Sequence, residues 1–122
     1  MKTKNKLYHY SAEVTRVVDG DTVDAFVDLG FDMHSKQRVR LFGINTPECR
    51  TRDKEEKKRG FAAKARLKEM LSEEKNKCVI KTWLDKKGKF GRVLGVLYVN
   101  DKDLNNQLVK EGHAKKYYGG SR

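Results

Sequence analysis

The stretch Arg38-Val39-Arg40-Leu41-Phe42-Gly43-Ile44-Asn45-Thr46-Pro47-Glu48 constrains this chain more than any other. Val39, Leu41 and Gly43 fall on one side of an extended strand, and Arg38, Arg40 and Phe42 on the other. Pro47 is the chain's one proline. It offers no N–H to a ladder and biases Thr46 towards extended backbone, so the strand has to stop there. An arginine, an amide, a hydroxyl and a carboxylate are gathered at that strand end. Core packing does not require such a set, whereas phosphate chemistry could use it.

The rest of the chain alternates around this corner. Residues 1–7 read as a basic tail, 8–118 as one domain and 119–122 as a C-terminal tail. Tyr8 to Val18 has strand character and Asp19-Gly20-Asp21 is a turn signal. Thr22 to Leu29 alternates, with Val23, Ala25, Val27 and Leu29 on one face against Asp24, Phe26 and Asp28. Gly30 to Lys36 reads as a loop and Gln37 to Gly43 as the third strand. Cys49 to Arg59 is dense in charge and reads as an exposed loop running into a helix. Phe61, Ala62, Ala65, Leu67, Met70 and Leu71 then follow helical spacing. Lys77 to Leu84 returns to alternation, Asp85 to Gly91 is a basic hairpin turn, and Val93 to Val99 is apolar on both faces. Asp103 can cap a helix over Leu104 to Glu111 that Gly112 ends. The order predicts an α+β, mainly β fold: a five-stranded OB-type barrel with a helix after the third strand and a short C-terminal helix.

A chain of 122 residues supports one modest core. Its 28 Lys and Arg outweigh 17 Asp and Glu, a net charge of +11. An excess of that size favours a polyanionic partner, most simply nucleic acid, over a basic surface kept for solubility. Two cysteines make neither a disulfide framework nor a zinc site, and read as free thiols rather than one bridge. The basic N-terminus is not followed by an apolar run, so it does not read as a secretory signal. No segment approaches the length of a membrane span. A cytoplasmic monomer without a membrane partner is the expectation.

Asp19, Asp21, Arg40, Asn45, Glu48 and Arg92 all fall at strand ends or adjoining turns, places that a small barrel can bring together. Acidic oxygens suit a hard cation. Arginines can clamp a phosphate, and a further carboxylate can position or deprotonate water. Each piece alone has a duller reading: an Asp-Gly-Asp turn is most often only a turn, Arg40 a surface ion-pair residue, and Glu48 a solvated acid. It is the combination that points to phosphodiester hydrolysis.

Three pieces in order, Val18-Asp19-Gly20-Asp21-Thr22-Val23, Arg40-Leu41 with Asn45-Thr46-Pro47-Glu48, and Lys89-Phe90-Gly91-Arg92, resemble the staphylococcal nuclease (thermonuclease) family. Asn105, Leu108-Val109, Gly112 and Ala114-Lys115 match it as well, so the resemblance runs from Ala12 to Tyr118. It implies an OB-type barrel and calcium-dependent cleavage of DNA and RNA, with magnesium the less favoured ion. By the resemblance Asp21 is a calcium ligand, Thr46 offers its backbone carbonyl, and Asp19 is an acid nearby. Arg40 and Arg92 form the phosphate clamp, and Glu48 sits beside the attacking water as base or positioner. Lys89 and Tyr118 match positions that touch the nucleotide's phosphate. Phe90 stands where the family commonly has tyrosine, keeping a stacking surface without the hydroxyl. The basic segments Lys54–Arg59, Lys86–Lys89 and Lys115–Lys116 would hold the backbone of the substrate, and Tyr117 and Tyr118 could stack an unpaired base.

Asn45 is the chief departure, because the family's best-known members carry a metal-binding aspartate there. An asparagine keeps a carbonyl oxygen and loses a charge, so weaker calcium binding is expected. The chain also stops near Tyr118, short of the final helix of longer members, and its Asp32–Lys36 loop reads as longer. The leading expectation is a calcium-dependent nuclease of low sequence specificity. The alternative, favoured by Asn45, is a catalytically weak or inactive nuclease-like domain that binds nucleic acid. A basic structural or protein-interaction domain comes third.

Overall fold

The structure, a computed structural model, describes residues 8–84 and 93–117. Its elements in chain order are β1 (His9–Asp19), β2 (Thr22–Gly30), β3 (Met33–Leu41), β4 (Ile44–Asn45), α1 (Lys54–Ser72), β5 (Lys77–Leu84), β6 (Val93–Val99), β7 (Lys102–Asp103), α2 (Leu104–Lys110) and β8 (Lys115–Lys116). One sheet runs in the order β3-β2-β1-β5-β6-β7. A parallel pairing of β3 with β6, Val39 against Val93 through Leu41 against Gly95, joins its ends and closes a five-stranded barrel. This is the expected OB-type architecture, with α1 after the third strand and α2 near the C-terminal end. Two register shifts in the β1–β2 ladder, between Val14 and Arg16 and between Val17 and Asp19, supply the bend that closure needs.

The strand alternation carries through to burial except at Leu29, which lies beyond the barrel and is exposed. Val23, Ala25 and Val27 of β2, and Val39 and Leu41 of β3, point inward, and Arg38 and Arg40 point out. Leu41, Ile80 and Leu97 meet Leu67 and Leu71 of α1 and Leu104 and Leu108 of α2 in one core. Each such fully buried leucine contributes about 1.5–3 kcal/mol. Asp53 caps α1 by accepting the N–H groups of Glu55 and Glu56, a contact of about 1 kcal/mol. The leucines therefore hold the helix on the barrel, and the cap decides where it begins. Asn105 is the buried polar link: its Nδ2 donates to the carbonyls of Phe42 and Gly95, and its Oδ1 accepts from Leu97 N–H. It ties α2 to the place where β3 and β6 meet.

Four details differ from the sequence reading. Residues 33–36 are strand rather than loop. The connection between β2 and β3 is the tight turn at Phe31 and Asp32, both at positive φ. Beyond the barrel this hairpin has no buried face, so its residues carry no alternation to read. The helix starts at Lys54, so about half of the stretch read as an exposed loop running into a helix is already helical. Phe61, counted with the helix's apolar positions, is half exposed, and Gly60 and Ala63 take the buried places. Finally, Lys115–Lys116 is a short strand paired with Ile44–Asn45. The basic turn read at Asp85–Gly91 lies outside the described residues. Both cysteines are free and buried. Among the described residues no helix is long and apolar enough to cross a membrane.

The two helices are joined on their outer side by Arg66. Its Nε and Nη2 donate to the two carboxylate oxygens of Glu111 at 2.7 and 2.9 Å, and Gln107 Nε2 adds a third bond at 2.8 Å. The Arg66 guanidinium first, then Gln107, hold the Glu111 carboxyl down at about 2. Because the folded value lies below the ordinary one, the carboxylate stabilises the fold above about pH 4.5, and that contribution drains away as pH falls towards 2. Urea unfolding should find Glu111→Gln less stable than the parent by about 0.5–1 kcal/mol at pH 7. The two should converge between pH 4.5 and 2; a difference that persists at pH 2 would refute the pairing.

Candidate active site

The corner predicted around Pro47 is assembled from three elements. The β1–β2 turn brings Asp21, the end of β3 brings Arg40, and β4 with its extension brings Asn45, Thr46 and Glu48. Asp21 is buried, at 8% exposure. Its Oδ2 accepts the Thr46 N–H at 3.1 Å and its Oδ1 the Thr22 hydroxyl at 3.0 Å. Arg40 Nη1 stands 3.5 Å from the same Oδ2. That guanidinium also donates from Nη1 to the Leu41 carbonyl at 3.1 Å and from Nη2 to Asn45 Oδ1 at 3.3 Å. The side chains of Arg40 and Asp21 are both largely buried, so the pair acts through a medium of lower dielectric than water.

Two glycines make this assembly possible. A Cβ on Gly20 would come to 2.7 Å from Ala63 Cβ and 3.1 Å from the Thr46 side chain. The Asp21 turn is thus pressed between α1 and the end of β4. A Cβ on Gly60 would lie 2.6 Å from the Glu48 carbonyl oxygen and 2.9 Å from that of Pro47. The helix therefore rests directly on the backbone that follows the proline. Glu56, one turn earlier, accepts the Glu48 N–H at 3.1 Å.

The structure places the predicted residues as follows. Asp21, Arg40, Asn45 and Thr46 come together. Glu48 is exposed at the edge of the corner. Asp19, at the end of β1, lies beside the Cys49 thiol. Burial first, and then that neighbouring carboxylate, push this thiol up, so it is no nucleophile at neutral pH. Lys115 pairs in register with Asn45 across the β4–β8 ladder, which puts a cationic side chain over the corner. Arg92, Lys89, Phe90 and Tyr118 lie outside the described residues. A cleft of about 490 Å³ opens beside the corner, lined by Asn45, Thr46, Glu56, Arg59, His113 and Lys115 among others.

Sequence reasoning missed Thr22, Gly60 and Glu56. The last carries a visible signal, since Asp53 followed three residues later by Glu56 is a capping-box pattern. Here the glutamate reaches back past the cap to Glu48 instead. Nothing local marks Gly60, because what it touches is far away in the chain; Gly20 was read as part of a turn, not as a contact point.

The oxygens brought together at the corner are those of the Asp21 carboxylate and the Asn45 side-chain carbonyl, to which the family resemblance adds the Thr46 backbone carbonyl. Among the described residues no three His, Cys, Asp or Glu side chains gather as a metal cluster, and Thr46 Oγ1 is buried without a hydrogen-bond partner. An oxygen set rich in neutral carbonyls fits calcium, with its flexible coordination, better than magnesium, which demands a tight octahedron.

A family model described as staphylococcal nuclease homologue matches residues 38–122. The chain is 35% identical over 106 residues to the thermonuclease of Staphylococcus intermedius, covering 86% of this chain and 59% of that protein. It is 28% identical over 116 residues to the endonuclease YncB of Bacillus subtilis, covering 95% and 52%. It is 32% identical over 132 residues to the uncharacterized protein MJ1439 of Methanocaldococcus jannaschii, covering 89% and 60%. The chain thus spans between about half and three fifths of the length of these relatives.

An alanine at position 60 tests the seating of the helix. In a solvent-facing helix, Gly→Ala gains up to about 1 kcal/mol. Here the sign should reverse, with a loss of about 1–3 kcal/mol, because the new methyl meets backbone rather than a movable side chain. Chemical denaturation would read this, and a stabilised Gly60→Ala protein would show that the contact is not tight.

Proposed function

The chain belongs to the staphylococcal nuclease family, and from that premise we propose that it is a calcium-dependent phosphodiesterase cutting DNA, and RNA as well, with little regard for base sequence. Arg40 carries this reading. It is a largely buried guanidinium fixed by Leu41, Asn45 and Asp21 at an open strand end, with an exposed carboxylate, Glu48, close behind in the chain. A purely structural ion pair would need neither Glu48 nor the oxygen-rich end of β4.

The roles follow from chemistry. A guanidinium has five N–H donors in a fixed fork, and the three acceptors of the corner leave donors for the oxygens of a phosphodiester. Anchored before the substrate arrives, Arg40 needs no reorganisation as negative charge grows on the phosphoryl oxygens. Glu48, in contact with solvent, takes the proton of the attacking water or orders that water for attack. Asp21, Asn45 and Thr46 would hold the calcium ion. When bound, the ion supplies polarisation of a phosphoryl oxygen and orientation of the water. Lys115 draws the backbone towards the corner by charge, and Arg92 is assigned the second arm of the clamp by family resemblance.

A second reading rests on Asn45. Its side chain brings no charge, and its Oδ1 already accepts a hydrogen bond from Arg40. On that view the nuclease fold is retained as a nucleic-acid-binding module with little or no turnover.

Cleavage of plasmid and single-stranded oligonucleotides, with calcium, magnesium or a chelator in parallel, separates the two. Calcium-dependent cutting is expected, lost in Glu48→Gln. Arg40→Ala should lower kcat by about 10²–10³-fold with the fold intact; near-normal turnover would refute the clamp. Tight, salt-sensitive binding without cutting under any metal would establish the binding module. Calorimetry provides an independent check on the metal: Asn45→Asp should tighten calcium binding by about one to a few kcal/mol. No gain would mean that residue 45 does not touch the ion.

A further inference from the structure

Charge on α1 is sorted by side. At about 100° per residue, Lys54, Lys57, Phe61, Lys64 and Lys68 fall within an arc of about 80°. The acids of the helix, Glu55, Glu56 and Glu69, lie outside that arc. So do Lys58, Arg59, which lines the cleft, and Arg66, which is engaged with Glu69 and Glu111. Among the described residues none of these four lysines enters an ion pair. The outward face of β3 makes a contrast: Arg38 is held by Asp24 in a two-bond pair at 2.8 and 3.2 Å, so its charge is already answered within the fold. On the α1 flank four like charges stand together uncompensated. That arrangement is unfavourable for the isolated protein and leaves them free to meet an anion.

The flank passes the corner at its middle. Gly60 rests on the backbone of Glu48, and Ala63, just before Lys64, packs on Gly20 in the turn that carries Asp21. From Lys54 to Lys68 the row is about 21 Å long at 1.5 Å per residue. In its middle Phe61 is 48% exposed, with the Lys64 ammonium 5.8 Å from its ring centre. An exposed ring among lysines is what a strand with unpaired bases uses: phosphates meet the ammonium groups, and a base stacks on the ring.

We propose that the Lys54–Lys57–Phe61–Lys64–Lys68 flank of α1 is a docking track for single-stranded nucleic acid, running past the Asp21–Arg40 corner. This rests on the nuclease reading of that corner and adds the form of the substrate and its path. The basic segment at 54–59 thus divides. Lys54 and Lys57 belong to the track, and Arg59 faces the cleft on the other side.

The test measures binding of the full chain to a labelled oligothymidylate, and to a duplex of equal length, across a salt series with chelator present. K54Q/K57Q/K64Q/K68Q is compared with the equally charge-reduced K36Q/K77Q/K102Q/K110Q and with Phe61→Ala. All the substituted positions are exposed except Lys64, which is half-buried, and circular dichroism verifies folding. For the single strand the flank variant should flatten the slope of log K against log salt by up to about 2.8, at about 0.7 per lost phosphate contact. The control variant should keep most of the parent slope. Phe61→Ala should weaken single-strand binding by about 5- to 100-fold and leave duplex binding unchanged. An unchanged slope in the flank variant, or equal flattening in the control, overturns the track. Equal effects of Phe61→Ala on the two substrates, or none on either, overturn the assignment to a single strand. A parent that cuts nucleic acid while its flank variant keeps the full slope refutes the track alone. A parent that neither binds nor cuts at low salt brings down the nuclease reading and the track together.

Discussion

The corner of this molecule depends on one hydrogen bond, from the Thr46 backbone N–H to the buried Asp21 carboxylate, 25 residues apart in sequence. Taking a carboxylate out of water is costly unless it is paired and hydrogen-bonded. Thr46 N–H, the Thr22 hydroxyl and the nearby Arg40 guanidinium together meet that condition. The same bond sets the end of β4 against the β1–β2 turn. Arg40 is then caught between Asp21, the Leu41 carbonyl and Asn45, and so points out of the barrel end rather than along it. Without Arg40 the carboxylate still keeps two donors; with all three partners gone the charge would be buried alone, a loss of about 3–5 kcal/mol or more.

α1 serves three ends with three sides. Its inner side supplies Leu67, Met70 and Leu71 to the core. Gly60 and Ala63 let it come close enough to clamp the corner from behind. Its outer flank collects lysines that no acid among the described residues answers. A basic chain has to put its excess charge somewhere, and here part of it stands beside the residues that would handle a phosphodiester. The contact of Glu56 with Glu48 N–H couples the first turn of this helix to the acid assigned to the water. Support and chemistry are therefore not separable at that point.

Asn45 is the residue on which the functional reading turns. Its Oδ1 accepts from Arg40, a bond that an aspartate would make more strongly. A site with one carboxylate beside an arginine has little net negative charge with which to hold a cation. The fold keeps the corner's shape without the second acid, because that shape comes from Asp21, Thr46 and the two glycines rather than from residue 45.

Much of this was legible in the chain. Period-two alternation in β2, β3 and β5, the proline stop at residue 47 and the cap at Asp103 follow from local backbone chemistry, and local chemistry is written in neighbouring residues. The motifs around Asp21 and Arg40 to Glu48 named the corner for the same reason. The hairpin beyond the barrel was not legible, since strands with two solvated faces leave no hydrophobic period. Nor was the exposure of Phe61, because helical spacing predicts a face but not how wide the barrel's seat for it is. The sequence by itself determined the elements, their order, the barrel class and the residues of the corner. Only the tertiary structure decided that Asp21 and Thr46 share a bond, that Gly20 and Gly60 are contact points, that Lys115 stands across from Asn45 and that the lysines of α1 border the site. Those are matters of distance between segments far apart in the chain, and no local preference encodes them.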